Sequence, residues 1–130
     1  MAQLTREQRR AVLERARDLF NAGEFWEAHE TLETVWRSII SDDAAPVWQG
    51  LIQAAAALLH LQRGNCHGVA VVGGAALDKL NGPQHPDVEF ETVHFRAHLA
   101  RALAGEGDLP RLEFRSDERR GNEQDRSRDR

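Results

Sequence analysis

The stretch Pro46-Val47-Trp48-Gln49-Gly50-Leu51-Ile52-Gln53-Ala54-Ala55-Ala56-Ala57-Leu58-Leu59-His60-Leu61-Gln62-Arg63 decides the fold. Proline is favoured in the first turn of a helix, Asp43 offers a cap ahead of it, and Gly64 can end the last turn. At about 100° per residue, Val47, Trp48, Leu51, Ile52, Ala55, Leu58 and Leu59 spread over a broad arc that Ala54 and Leu61 extend. A helix that is apolar almost all round must be covered by others, so this segment is expected at the centre of a helical bundle.

The flanking sequence supplies the cover. Thr5-Arg6-Glu7-Gln8 has the form of a capping box and opens a run with Val12, Leu13, Ala16, Leu19 and Phe20 at helical spacing, predicting a first helix over Arg6–Asn21. A second helix is expected over Glu24–Ile40, where Phe25, Ala28, Leu32, Val35, Trp36 and Ile39 recur before Ser41-Asp42-Asp43. The central segment is the third. A fourth runs from Asn65, a good cap, to Leu80 ahead of Asn81-Gly82-Pro83, and a fifth from Val88, behind Asp87, to Ala104. No segment alternates with period two long enough for a strand. The fold class read from the sequence is therefore all-α, a single bundle of about five mostly antiparallel helices over residues 1–114. From Arg115 to Arg130 six arginines mix with five carboxylates and no aliphatic or aromatic residue, so 115–130 reads as a disordered mixed-charge tail.

Composition narrows the function classes. The 130 residues carry 17 basic and 21 acidic side chains, a mild negative balance that argues against a nucleic-acid binder. No run approaches the roughly 20 apolar residues of a bilayer span, and the first residues carry no apolar signal region, so no membrane association and a cytoplasmic location are expected. Cys66 is the single cysteine, which excludes an internal disulfide and any structural zinc site built on two thiolates.

The central helix contains one anomaly. Gln49, Gln53 and His60 fall within roughly 40° of one another, between alanines and away from any charge. Two amides and an imidazole in such a setting need partners, because an unpaired buried polar group costs about 1–3 kcal/mol. The second helix offers His29 inside its apolar arc, Glu33 at the edge and Glu30 beside it. A buried cluster of His29, Glu33, Gln49, Gln53 and His60, with Glu30 near it, is expected across the interface of the second and third helices.

These residues carry a family resemblance. Phe20-Asn21, Gly23, Glu27-Ala28-His29-Glu30-Thr31-Leu32-Glu33 with Trp36-Arg37, then Gln49-Gly50-Leu51-Ile52-Gln53-Ala54-Ala55-Ala56, His60, Arg63-Gly64-Asn65 and Gly68 resemble a small helical prokaryotic family known as a domain of unknown function, with the signature H-E-x-x-E-x-x-W. The resemblance spans about Leu19–Gly68. It implies an all-helical fold and a shared polar cluster at these positions, and it brings no activity with it.

Several chemistries fit the expected cluster. His29, Glu33 and His60 are suitable ligands for a divalent transition metal such as Zn, Fe or Mn, with Gln49 or Gln53 behind them. His29-Glu30-x-x-Glu33 differs from the H-E-x-x-H of metalloproteases in its second ligand. A small anionic molecule is the other candidate ligand, with Arg63 and Asn65 at the turn before the fourth helix able to hold a phosphate or carboxylate. If the site were catalytic, Glu30, Glu33 or His29 would act as general base in a hydrolysis. The alternative is a non-enzymatic homodimeric scaffold or interaction module in which the cluster is a structural hydrogen-bond network. Gly64 can equally serve a left-handed turn, Asn65 a helix cap, and Gly68, Gly73 and Gly74 close helix packing. Glu91, His94 and His98 share a face of the fifth helix at E-x-x-H-x-x-x-H spacing, read as an exposed polar face. That helix also has two apolar stripes, Phe90/Val93/Ala97/Ala100/Ala104 and Phe95/Leu99/Ala102/Leu103. The second cover would come from Leu109–Phe114 folding back or from a homodimer through the fifth helix.

Overall fold

Four of the five helices lie within a few residues of where the sequence places them. The structure is a computed structural model that describes residues 4–38 and 41–116. Helix α1 spans Arg6–Asn21 behind a complete capping box, Thr5 accepting from the Gln8 N–H while the Gln8 side chain accepts from the Thr5 N–H. Helix α2 spans Phe25–Arg37 with Ser38 as its C-cap, three residues short of the expected end at Ile40; the Ile39 core position lies outside the described residues. Helix α3 spans Ala45–Gln62 with its proline in the first turn, but its N-cap is Ala44 and not Asp43, and no side chain caps it. Helix α4 spans Cys66–Lys79, capped by Asn65, whose side chain accepts from the Gly68 N–H.

The fifth helix departs from expectation. Helix α5 spans Val93–Leu103, beginning five residues after Val88. The residues before it are extended: Phe90 forms an antiparallel bridge to Phe114, the Glu91 N–H donates to the Glu113 carbonyl at 2.8 Å, and the Arg115 N–H donates to that of Glu89 at 2.9 Å. The side-chain amide of Gln84 holds this segment in shape. Its Nε2 donates to the carbonyls of Phe90 at 2.9 Å and Val88 at 3.1 Å, and its Oε1 accepts from the Thr92 N–H at 2.9 Å. Asp87 caps nothing; its N–H donates to Nδ1 of His85.

Helix α3 is central, touching α2, α4 and α5, while α1 packs on α2. Trp48, Leu51 and Leu58 of α3 are fully buried, as are Leu13 and Phe20 of α1, Phe25 and Leu32 of α2, and Leu99 of α5. Rings knit the layers together: Phe20 meets Phe25 at 5.1 Å and Phe95 at 5.6 Å, and Trp48 meets Phe90 at 6.0 Å.

The Leu109–Phe114 segment folds back, the first of the two expected covers. Leu112 is fully buried, and its backbone is clamped by Asn21, whose Oδ1 accepts from the Leu112 N–H at 2.7 Å while its Nδ2 donates to the Leu112 carbonyl at 3.0 Å. Phe114 stacks on Phe90 at 4.9 Å, with the guanidinium of Arg10 over its ring at 3.8 Å. Of the two α5 stripes, Phe95, Leu99 and Ala102 are buried; Val93, Ala97 and Ala104 stay exposed, and Phe90 is buried ahead of the helix. Most of the expected tail, 117–130, lies outside the described residues. Among the described residues no helix is long and apolar enough to cross a membrane.

Candidate functional site

Helix α2 buries one side and presents another. Phe25, Ala28, Leu32 and Val35 form the buried stripe. Trp26, His29, Glu30, Glu33, Trp36 and Arg37 share the adjoining arc of about 120°. Trp36, expected in the core, is 37% exposed, and Trp26 is 53% exposed. The Trp26 ring stacks on the His29 imidazole, centroids 5.6 Å apart and planes within 5°. Nδ1 of His29 is buried without a hydrogen-bond partner, leaving Nε2 as the ring nitrogen that can meet another molecule. Glu33 pairs with Arg37 at 3.6 Å along the same helix. Glu30 and Glu33 also line a shallow cleft with Val12 and Arg15 of α1.

The buried cluster expected between the second and third helices is not assembled. Gln53 accepts instead from Nζ of Lys79 at 3.1 Å, and Nδ1 of His60 is hydrogen-bonded to Nδ2 of Asn65 at 3.1 Å. The polar line of α3 therefore faces α4. Glycines make this close approach possible: a Cβ on Gly68 would lie 2.4 Å from Cγ of His60, and one on Gly50 would lie 3.0 Å from Cβ of Lys79. A Cβ on Gly73 would meet Leu103, whereas Gly74 faces open space, so close packing accounts for Gly68 and Gly73 but not Gly74. Gln49 is half-buried, and Arg63 is exposed at the C-cap of α3. Gly64 takes φ +70°, the left-handed turn for which glycine is suited.

The donor and acceptor roles at this turn fix one another. Asn65 Oδ1 is committed to the Gly68 N–H, so its Nδ2 is the donor toward His60 and Nδ1 of His60 must accept. His60 thus carries its hydrogen on Nε2. These groups satisfy each other within the α3–α4 pair. Among the described residues no three His, Cys, Asp or Glu side chains converge as a metal ion requires, so His29, Glu33 and His60 do not form the expected ligand set.

A second concavity of about 500 Å³ lies between α5 and residues 106–113, lined by His94, His98, Arg101, Asp108, Arg111 and Glu113 among others. Glu91 lines it with His94 and His98, as their spacing suggested, and lies 3.3 Å from Nδ1 of His94, but it stands ahead of the helix and not on it. It accepts from the His94 N–H at 2.8 Å, so it serves as a cap.

Trp26, Asn21 and Gln84 are the residues that sequence reasoning did not single out for these roles. For Trp26 a signal existed: it stands out of phase with the Phe25, Ala28 and Leu32 stripe and between Glu24 and Glu27, where a core residue does not belong. What α2 presents is two indole faces, an imidazole and carboxylates on one rigid element, a composition suited to recognition.

Residues 13–72 match the family described as "Domain of unknown function (DUF309)", a range from the middle of α1 into α4 that holds both the outer face of α2 and the polar line of α3. The chain is also 34% identical over 109 residues to an uncharacterised protein of Aquifex aeolicus (strain VF5), covering 79% of this chain and 32% of that one. The chain thus spans about a third of the length of the curated relative it matches. The two matches support a relationship to a small domain-of-unknown-function family. No solved structure matches the chain.

Proposed function

We propose that this chain is an interaction module, a helical scaffold that holds out α2 as a docking surface. One observation carries the reading: Trp26 and Trp36, both more than a third exposed, stand on the same arc of one helix. Tryptophan is highly buried on average, and buried indoles in a central patch are what binding surfaces are built around. The alternative of a metal or small-anion site is less well supported, since Gln53 and Asn65 would have to give up Lys79 and the Gly68 N–H to serve it.

A photo-crosslinking residue at Glu30, introduced into the full chain in its native host, tests the reading against the same residue at Glu14, exposed on α1. Discrete adducts from position 30 and none from 14 are expected. No discrete adduct from position 30, or the same adducts from both, would overturn it.

A further inference from the structure

Resting on the reading of α2 as a docking surface, we propose that its occupant is a second copy of this chain, bound antiparallel about a two-fold axis level with Thr31. The order of groups on the exposed arc carries the proposal. Trp26, His29, Glu33 and Trp36 follow one another at spacings of three, four and three residues, the spacing of a helix–helix seam. Turned end for end about residue 31, this series sets Trp26 level with Trp36 of the partner subunit and His29 level with Glu33 of the partner subunit. Each pairing then occurs twice, as an isologous contact demands.

The chemistry of each pairing is favourable. Indole meets indole, which gains from offset stacking as well as burial. Imidazole meets carboxylate: Nδ1 of His29 is buried and unpartnered, so Nε2 is the ring nitrogen left to meet a second molecule, and in the tautomer that carries its hydrogen there a carboxylate is its natural acceptor. Glu33 can accept a further bond, because its contact with Arg37 at 3.6 Å uses one of its two carboxylate oxygens. Only the antiparallel order sets each His29 level with a carboxylate; the parallel order would set Glu33 level with Glu33 of the partner subunit. Thirteen residues of helix extend about 20 Å. That is a small contact beside the roughly 800 Å² per partner of a standard interface, so the dimer forms at micromolar or higher concentration.

The test uses the full chain with Cys66→Ser as background. Sedimentation equilibrium from about 1 µM to about 1 mM is expected to show a monomer–dimer equilibrium that Trp26→Glu weakens at least about tenfold, while Val93→Glu on the exposed stripe of α5 leaves it unchanged. His29→Cys chains mixed with Glu33→Cys chains are expected to form the mixed disulfide in preference to either homodisulfide, since only 29 and 33 come level and the second His29–Glu33 pair stays intact. Helical content of Trp26→Glu by circular dichroism confirms that the fold survives. A monomer throughout, a dimer broken by Val93→Glu and not by Trp26→Glu, or no preference for the mixed disulfide would overturn the proposal. Adducts from position 30 to a protein other than this chain would overturn it too, while leaving the docking surface standing.

Discussion

At the residue scale the tightest constraint is the meeting of His60 and Gly68. A methyl group at position 68 would overlap the near end of the imidazole, whose Cγ is fixed directly to Cβ, so the ring or the helix pair would have to shift. Gly68→Ala is therefore expected to cost about 1–3 kcal/mol in urea unfolding, and His60→Ala in the same chain to recover most of it, a coupling that a double-mutant cycle reads directly. Gly73→Ala meets only the far end of Leu103, a flexible group, and alanine is the better helix former, so that variant is expected to be near neutral. The sequence showed that Gln53 and His60 face another helix, because amides and imidazole between alanines do not belong on a solvated face. It did not show which helix. Phase along one segment fixes the direction of a side chain, whereas the neighbour that covers it is chosen by how closely backbones approach, and here Gly50 and Gly68 give that choice to α4.

At the scale of elements, α1 to α4 were legible because each start or stop is a local signal: Thr5 with Gln8, Pro46, Gly64 with Asn65. The start of α5 was not. Val88, Phe90 and Thr92 are buried and alternate with the half-buried Glu89 and Glu91, the period of an extended segment, but five residues are too few to outweigh the helical run that follows. What stabilises the extended form is Gln84, a side chain whose partners are up to eight residues away. Gln84→Ala would leave the Thr92 N–H and two carbonyls without their partners, an expected loss of about 1–3 kcal/mol. Amide hydrogen exchange should localise the loss to Thr92 and its neighbours. An unchanged unfolding midpoint with unchanged exchange at Thr92 would show that the segment holds its shape by ring packing alone.

Across the whole molecule, the chain closes on itself through contacts that no local pattern announces. Asn21 reaches Leu112, and Arg9 holds Glu89 by two hydrogen bonds of 2.7 and 3.0 Å while its guanidinium lies 5.3 Å from the Trp48 ring. Leu109–Phe114 could be read as a cover in search of a helix; its attachment to α1 could not, because it rests on the Asn21 amide at the end of that helix and on the Arg10 guanidinium over Phe114. The same closure places the three tryptophans in different roles. Trp48 is sealed in the core, and Trp26 and Trp36 are left on the surface of α2. A fluorine NMR spectrum of the full chain with fluorotryptophan at its three positions therefore separates the docking surface from the fold in a single titration. The Trp26 and Trp36 resonances are expected to shift as protein concentration rises, while that of Trp48 stays in place. Invariance of all three through the millimolar range would contradict a second copy on α2, and movement of Trp48 together with the others would show that the core, and not this face, responds.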